Sequence, residues 1–116
     1  MKFKLILAFV EDEVTDEVMK EARSAGATGA TVISNARGEG VEPQRTFFGL
    51  ELESHRNVLL FVVEEHMSKA ILEHIATVAG FDKEPGKGIA ILVNVEDAVG
   101  VAHQVERLKA KIEDDL

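Results

Sequence analysis

The order of strand-like and helix-like segments is the feature that most constrains how this chain of 116 residues can fold. Four short runs rich in apolar and β-branched residues predict strands over residues 2–9, 29–34, 57–63 and 89–95. Two longer stretches, one after the first run and one after the third, carry apolar residues at helical spacing. The predicted order of elements is therefore β-α-β-β-α-β.

Both predicted helices end in residues that are typical of helix termini. The first follows the acidic stretch EDEVTDE (11–17), and Gly26 stands where its C-terminus is expected. Ser68 is the predicted N-cap of the second helix, which ends at Gly80. Each helix therefore begins and ends between two predicted strands.

This order predicts an α+β fold of the ferredoxin-like βαββαβ type. Each helix-containing crossover is right-handed by strong default, which places both helices on one face of a four-stranded antiparallel sheet. A further apolar stripe predicts an additional C-terminal helix over about 98–113, with Gly100 weakening its first turn. No linker or repeat divides the chain, so we expect one domain over residues 1–116.

The composition excludes several classes of protein. The chain has no cysteine, which excludes disulfides, zinc fingers and thiol catalysis. Its formal net charge is −8, from 13 basic and 21 acidic residues, whereas nucleic-acid binding relies on a basic surface. The apolar run from Leu5 to Val10 is too short for a signal peptide or a membrane span. We therefore expect a cytoplasmic protein that does not bind nucleic acid.

The stretch GFDKEPGKGIAILV (80–93) looks at first like a phosphate-binding P-loop. A P-loop has four residues between its glycines, a Ser or Thr after its lysine, and a strand before it. Here five residues separate Gly80 from Gly86, and a helix comes first. Gly88 follows Lys87, so no hydroxyl is available for Mg²⁺. The glycines still offer backbone N–H groups to an anion, and an ordinary turn is the alternative.

Two stretches together resemble the PII nitrogen-regulatory signalling family. GATGATVISNARGEG (26–40) is similar to the family pattern G-x-x-G-x-T-V-x-x-x-R/K-G-x-G. GKGIAILVNVEDAVGV (86–101) is similar to the pattern G-x-G-K-I-F-V-x-x-V-E-x-A-x-x-I. The resemblance covers about residues 2–101 and implies a ferredoxin-like homotrimer.

The resemblance also implies a regulator of a transporter or enzyme, in nitrogen or related metabolism, that is not itself an enzyme. Residues 38–56 correspond to the family's long mobile loop, which contacts the effector protein. Gly86, Lys87 and Gly88 correspond to the loop that binds nucleotide phosphates. Arg37 and Gly38 correspond to the base of the mobile loop. The implied ligand is a small anion, with an adenine nucleotide as first candidate, bound in clefts between subunits.

Several departures from the family pattern bear on the ligand. The chain has no tyrosine, so the residue that many members have uridylylated is absent. Glu42 falls near a glutamine that helps to bind Mg²⁺ and 2-oxoglutarate, and Ile89 replaces a loop lysine. Gly100 and Ala102 replace paired arginines that grip nucleotide phosphates. Each lost charge-assisted hydrogen bond weakens a polyphosphate site by about 1.5–3 kcal/mol, which favours a nucleotide monophosphate or another anion over ATP.

The same loop contains candidate partner-binding residues, namely Arg45, Phe47 and Phe48. Adjacent aromatic side chains on a projecting loop are suited to serve as interface anchors. The alternative is that these side chains cover a small core within the loop itself.

Two other functional classes share the predicted fold. CutA-like trimers bind divalent cations, but the four histidines of this chain have no H-x-x-x-H spacing, and we expect no metal site. A ferredoxin-like acylphosphatase would need a phosphate-binding loop with an arginine just after the first strand, where this chain has Glu11, Asp12 and Glu13, which repel phosphate. No nucleophile with a base beside it is recognisable. A CutA-like metal-binding or structural trimer stays the alternative function.

Overall fold

A computed structural model describes residues 1–36, 46–47, 50–51, 56–83, 85–103, 105–106 and 109–110. In chain order its elements are β1 (Phe3–Glu11), α1 (Thr15–Ala25), β2 (Thr31–Ala36), β3 (Thr46–Phe47), β4 (Leu50–Glu51), β5 (Arg56–Glu64), α2 (Glu65–Ala79) and β6 (Gly88–Asn94). A 3-10 turn, Asp12–Val14, precedes α1. The four long strands and two helices follow the predicted order.

The four long strands form one antiparallel sheet in the order β2-β5-β1-β6. β1 pairs with β5 along its whole length and with β6 on its other side. This arrangement confirms the predicted ferredoxin-like α+β fold. β3 and β4 form a separate hairpin inside the 38–56 loop, an element that the polar sequence of the loop did not predict.

Both helices pack on one face of the sheet and enclose the apolar core. The period-two alternation of the central strands turns every second side chain of β1 and β5 toward the helices. Fully buried side chains come from both strands and both helices: Ile6, Val10, Val18, Ala22, Leu59, Phe61, Ile71 and Ile75. Burying each larger member contributes about 1.5–3 kcal/mol, so this layer fixes the helices relative to the sheet.

The opposite face of the sheet is apolar and partly exposed in the single chain. Val62 and Val93 flank Leu5 in the register, and Ile91 pairs with Leu7, so these side chains share that face. Val62, Ile91 and Val93 are each 39% exposed in the single chain. A contiguous exposed apolar surface of this kind is typical of an interaction face.

The second helix begins four residues earlier than the sequence predicted, because its N-cap is Glu64 and not Ser68. Glu64 is its N-cap, and the carboxylate accepts hydrogen bonds from the backbone N–H groups of His66 (2.8 Å) and Met67 (3.2 Å). Ser68, the predicted cap, lies inside the helix, where its hydroxyl donates to the carbonyl oxygen of Glu65 at 2.7 Å. The prediction was wrong because a carboxylate at the end of a strand satisfies the same orphan N–H groups.

The N-cap carboxylate also changes the acid–base behaviour of His66. The hydrogen bond between Nδ1 of His66 and Oε1 of Glu64, at 2.6 Å, and then the charge of Glu64 raise the pKa of His66 above 6.5. A raised pKa means that the folded state binds the proton more tightly than the unfolded state. This contribution to stability is fully present below pH 6.5 and is lost as pH rises through the folded-state pKa.

We therefore expect the urea midpoint of the wild-type chain, relative to that of His66→Gln, to be highest in mildly acidic solution and to fall through neutral pH. Histidine NMR titration should give a pKa for His66 above 6.5. The pH dependence that both proteins share cancels in the comparison. A midpoint difference that does not change with pH, or that grows toward alkaline pH, would contradict the assignment.

The C-terminal helix expected over about 98–113 stays a prediction. Described residues at 102–103, 105–106 and 109–110 have helical backbone, and the N–H of Val105 donates to the carbonyl oxygen of Val101 at 3.0 Å. Ala98, Val99 and Gly100 are not helical, so the predicted start was too early. Across the described ranges, no helix has both the length and the apolar character to cross a membrane.

Candidate functional site

The candidate site lies at the end of the sheet where β1 ends and β5 and β6 begin. The register places Arg56 directly opposite Glu11, and Gly88 opposite Val10. Side chains at such positions are neighbours, because the Cβ atoms of directly opposed residues are about 5 Å apart. Three strands therefore bring their ends together beside the segment 80–88, which connects α2 to β6.

At the β6 end of this segment, Gly86 and Gly88 have backbone conformations that other residues rarely adopt. Gly86 has φ 80° and Gly88 has φ 153°. A Cβ on Gly88 would overlap the ring of Phe81 and the carbonyl oxygen of Phe9. The segment therefore lies directly against β1, at a distance that only glycine permits.

Arg56 fastens the 80–88 segment to the sheet. Its Nη2 donates to the carbonyl oxygen of Gly86 at 2.7 Å, and its Nη1 donates to that of Lys87 at 3.4 Å. The Arg56 side chain is only 8% exposed, so these charge-assisted hydrogen bonds form largely away from bulk water. Its Nε is buried and has no hydrogen-bond partner in the described part of the chain. The first residue of β5 thus holds the segment in place.

Glu11 places a carboxylate between two cations of this site. Its Oε1 lies 3.3 Å from Nζ of Lys87 and 3.8 Å from Nη1 of Arg56. The Glu11 side chain is 24% exposed and that of Lys87 is 37% exposed, so the site is open to solvent on the side of Lys87. Two cations and one carboxylate leave the group with a net positive charge.

A buried polar layer supports Glu11 from the helix side of the sheet. Asn57 is 3% exposed, and its Nδ2 donates to Oδ1 of Asp12 at 3.0 Å and to Oγ1 of Thr15 at 2.7 Å. The hydroxyl of Thr15 in turn donates to the carbonyl oxygen of Glu11 at 3.1 Å. These hydrogen bonds fix the turn between β1 and α1. They therefore also fix the backbone of Glu11, which carries the carboxylate.

Comparison with known protein families identifies the chain. A family model described as nitrogen regulatory protein P-II matches residues 3–105. The chain belongs to the P-II family. The match includes all of the sheet and the 80–88 segment, and the family is one of regulatory proteins. The comparison with curated protein sequences gave no match.

Solved structures of PII-like proteins have the same fold. A PII-like signalling protein from Thermus thermophilus is 26% identical, with TM-score 0.58, covering 82% of this chain and 90% of its own. Apo CPII from Thiomonas intermedia K12, a nitrogen regulatory PII-like protein, is 14% identical, with TM-score 0.62 and coverages of 82% and 90%. CPII bound to ADP, AMP and bicarbonate is 16% identical, with TM-score 0.61 and coverages of 84% and 97%. The chain is thus a divergent, PII-like member of the P-II family.

Of the ligand-binding residues predicted from the PII resemblance, the structure describes Gly86, Lys87 and Gly88. It brings these three together with Arg56 and Glu11 at one end of the sheet. Arg37 and Gly38 lie outside the described residues, as do Arg45 and Phe48 of the predicted partner-binding set. Phe47 pairs with Leu50 in the β3–β4 hairpin, and only its backbone is described.

The PII sequence pattern and this chain differ by one residue in β2. Four residues separate Val32 from Arg37, whereas the family pattern has three. The pairing of β2 with β5 shifts register between Ile33 and Ala36, within the stretch that holds the extra residue. A bulge of this kind accommodates one more residue, while the residues of β2 before it keep their side chains on the same faces of the sheet.

Sequence reasoning did not single out Arg56 or assign Glu11 to the ligand site. Arg56 looked like the end of the loop, and Glu11 like part of an acidic helix start. Their opposition across β1 and β5 is a pairing between strands far apart in sequence, which no local pattern encodes. A basic residue immediately before a buried strand was the only available signal.

Two histidines lie within hydrogen-bond distance of single carboxylates. His66 pairs with Glu64, and Nε2 of His74 lies 3.0 Å from Oε2 of Glu21, between α2 and α1. No group of three or more metal-ligating side chains occurs among the described residues. Each of these two histidines therefore contacts one carboxylate and belongs to no such group in the described part of the chain.

Proposed function

We propose that this P-II family member is a homotrimeric signalling protein that binds a small anionic ligand beside Gly86, Lys87 and Gly88. An adenine nucleotide is the first candidate. Ligand occupancy is passed to an effector protein, a transporter or an enzyme, through the 38–56 loop, in nitrogen or related metabolism. The protein regulates its effector by binding and performs no catalysis of its own.

One observation carries this proposal. Arg56 stands at the C-terminal end of the 38–56 loop, and its guanidinium holds the carbonyl groups of Gly86 and Lys87. The base of the effector loop and the ligand segment are therefore joined by direct hydrogen bonds. A ligand that shifts the 80–88 segment changes the surroundings of Arg56. Because the 38–56 loop ends at Arg56, this change favours one conformation of the loop over another.

The effect of the ligand on the loop conformation has an energetic limit. A ligand can shift the equilibrium between two loop conformations only by the difference in its affinity for them. A tenfold difference corresponds to about 1.4 kcal/mol, roughly the strength of one hydrogen bond to a charged group. Breaking or forming the contact between Arg56 and Gly86 is enough to supply such a difference.

The charges of the site favour a small anion over ATP. Lys87 and Arg56 provide two cations, one of them partly exposed, against the carboxylate of Glu11. Gly100 and Ala102 stand where family members carry paired arginines that bind nucleotide phosphates. AMP, ADP and bicarbonate, the ligands of Thiomonas intermedia CPII, are therefore the first ligands to test.

The apolar open face of the sheet supports the homotrimer. Val62, Ile91 and Val93 would each remain 39% exposed in an isolated chain, and covering them with other subunits removes this surface from water. Light scattering coupled to size exclusion should give three times the chain mass of 12.7 kDa. A monomer at micromolar concentration would contradict a ligand cleft between subunits.

Thermal unfolding followed by circular dichroism tests the ligand. At a concentration 100 times its Kd, a ligand raises stability by about 2.7 kcal/mol, which shifts the melting temperature by several degrees. The panel is AMP, ADP, ATP, bicarbonate, 2-oxoglutarate, Cu²⁺ and Zn²⁺. We expect stabilisation by at least one of AMP, ADP and bicarbonate. Stabilisation by Cu²⁺ or Zn²⁺ alone would favour the CutA-like alternative.

A pair of lysine variants assigns the binding to the site. Lys87→Met should remove most of the thermal shift, because it deletes the partly exposed cation beside the glycines. Lys69→Met, on the exposed face of α2, changes the net charge equally and should keep the shift. Equal losses in both variants would indicate a nonspecific charge effect.

A further inference from the structure

The carboxylate of Glu11 occupies the position that an anionic ligand would take between Lys87 and Arg56. The same oxygen, Oε1, faces Nζ of Lys87 at 3.3 Å and Nη1 of Arg56 at 3.8 Å. An oxygen of a ligand that is hydrogen-bonded to Nζ of Lys87 lies within about 6 Å of Oε1. The chain thus supplies its own counter-anion at the proposed site.

The fold holds this carboxylate in place. Glu11 is the last residue of β1, its partner Arg56 opens β5, and Thr15 anchors its carbonyl group. The backbone at Glu11 is therefore fixed by the sheet on one side and by the start of α1 on the other. Only the side-chain torsions of Glu11 need to change for the carboxylate to leave Lys87, which is 37% exposed.

We propose that Glu11 is a built-in competitor for the anion site. A phosphate-bearing or other small anionic ligand binds Lys87 by displacing the Glu11 carboxylate, and the displaced carboxylate still repels the ligand from nearby. Glu11 thereby lowers the affinity for every anion at this site and determines which ligands bind at cellular concentrations. This inference rests on the proposed function, because it assumes that the anion binds beside Lys87.

Glu11→Gln is the direct test, since it keeps the size of the side chain and removes its charge. At about 6 Å, the repulsion between unit charges corresponds to an affinity change of about threefold at the dielectric constant of water and about a hundredfold at the effective value near a protein surface, so roughly tenfold is expected at this partly exposed site. Calorimetric titration with AMP, and with pyrophosphate as an anion that has no base, should show about tenfold tighter binding to this variant. Glu13→Gln is the matched control, because Glu13 is exposed and changes the net charge equally. It should bind within twofold of the wild type.

A measurement on the wild-type chain covers the case in which Glu11→Gln folds poorly. The side-chain carboxyl ¹³C resonance of Glu11, assigned from the variant spectra or by sequential methods, should move when pyrophosphate saturates the site. The corresponding resonance of Glu13 should stay in place. An unmoved Glu11 resonance at saturation would overturn the competitor role.

The combined outcomes separate this inference from the proposed function. Equal AMP and pyrophosphate affinities in wild type and Glu11→Gln would leave the ligand site standing and overturn the role of Glu11. Binding to Glu11→Gln alone would support the competitor role and contradict ligand sensing by the wild-type chain at those concentrations. Absence of binding to both proteins would overturn both proposals.

Discussion

Replacing Arg56 with alanine is expected to lower the free energy of unfolding by about 3 kcal/mol. The substitution removes two charge-assisted hydrogen bonds to the carbonyl groups of Gly86 and Lys87, each worth about 1.5–3 kcal/mol. Gly86 and Lys87 are only half-buried, so water can hydrate part of the 80–88 segment after the substitution. This hydration recovers some of the lost free energy. Glu11 keeps Lys87 as a partner, so no carboxylate is left without a counter-ion.

Urea unfolding at one protomer concentration measures this loss, because the stability of an oligomer depends on concentration. Arg23→Ala is the matched control: Arg23 is exposed near the end of α1, and its loss should cost less than about 1 kcal/mol. Arg56→Lys should lie between the wild type and Arg56→Ala, because an ammonium group lacks the fork that spans two carbonyls. A cost for Arg56→Ala no larger than that for Arg23→Ala would mean that the 80–88 segment is held by other contacts.

The four long strands and the two helices were predictable because each has a local signal. The apolar runs in β1, β5 and β6 are bounded by polar or glycine residues, and the predicted limits differ from the observed ones by one or two residues. The helical spacing of the apolar residues after the third predicted strand predicted α2, in which Ile71 and Ile75 are fully buried. The N-cap was missed because the choice between Glu64 and Ser68 depends on where β5 ends, which tertiary pairing decides.

The candidate site was only half predictable, for a related reason. Gly86, Lys87 and Gly88 stand next to one another in the sequence, so a pattern can recognise them. Glu11 and Arg56 reach the same place through strand register, which sets the partner of every residue once one pair is fixed. Acidic residues after the first predicted strand looked unfavourable for phosphate, and the structure brings one of them, Glu11 at the end of β1, into contact with Lys87.

Replacing Gly88 with alanine is expected to destabilise the fold by about 2–4 kcal/mol. The added Cβ would overlap the ring of Phe81 and the carbonyl oxygen of Phe9, and the φ of 153° is unfavourable for any L side chain. The ring can rotate away, but the carbonyl of Phe9 belongs to the central strand and cannot move without disturbing β1. The first residues of β6 must therefore separate from β1, and the 80–88 segment moves with them.

Gly29→Ala is the matched control for this substitution. A Cβ on Gly29 meets no atom within 4 Å, so this variant should lie within about 0.5 kcal/mol of the wild type. Amide hydrogen exchange adds a local readout, since Gly88→Ala should lose protection at the start of β6 while the centre of β5 keeps it. A Gly88→Ala chain as stable as Gly29→Ala would mean that β6 can begin one residue later at no cost. Gly88 would then be needed to let a ligand come close to the backbone, and not to let the 80–88 segment pack against β1.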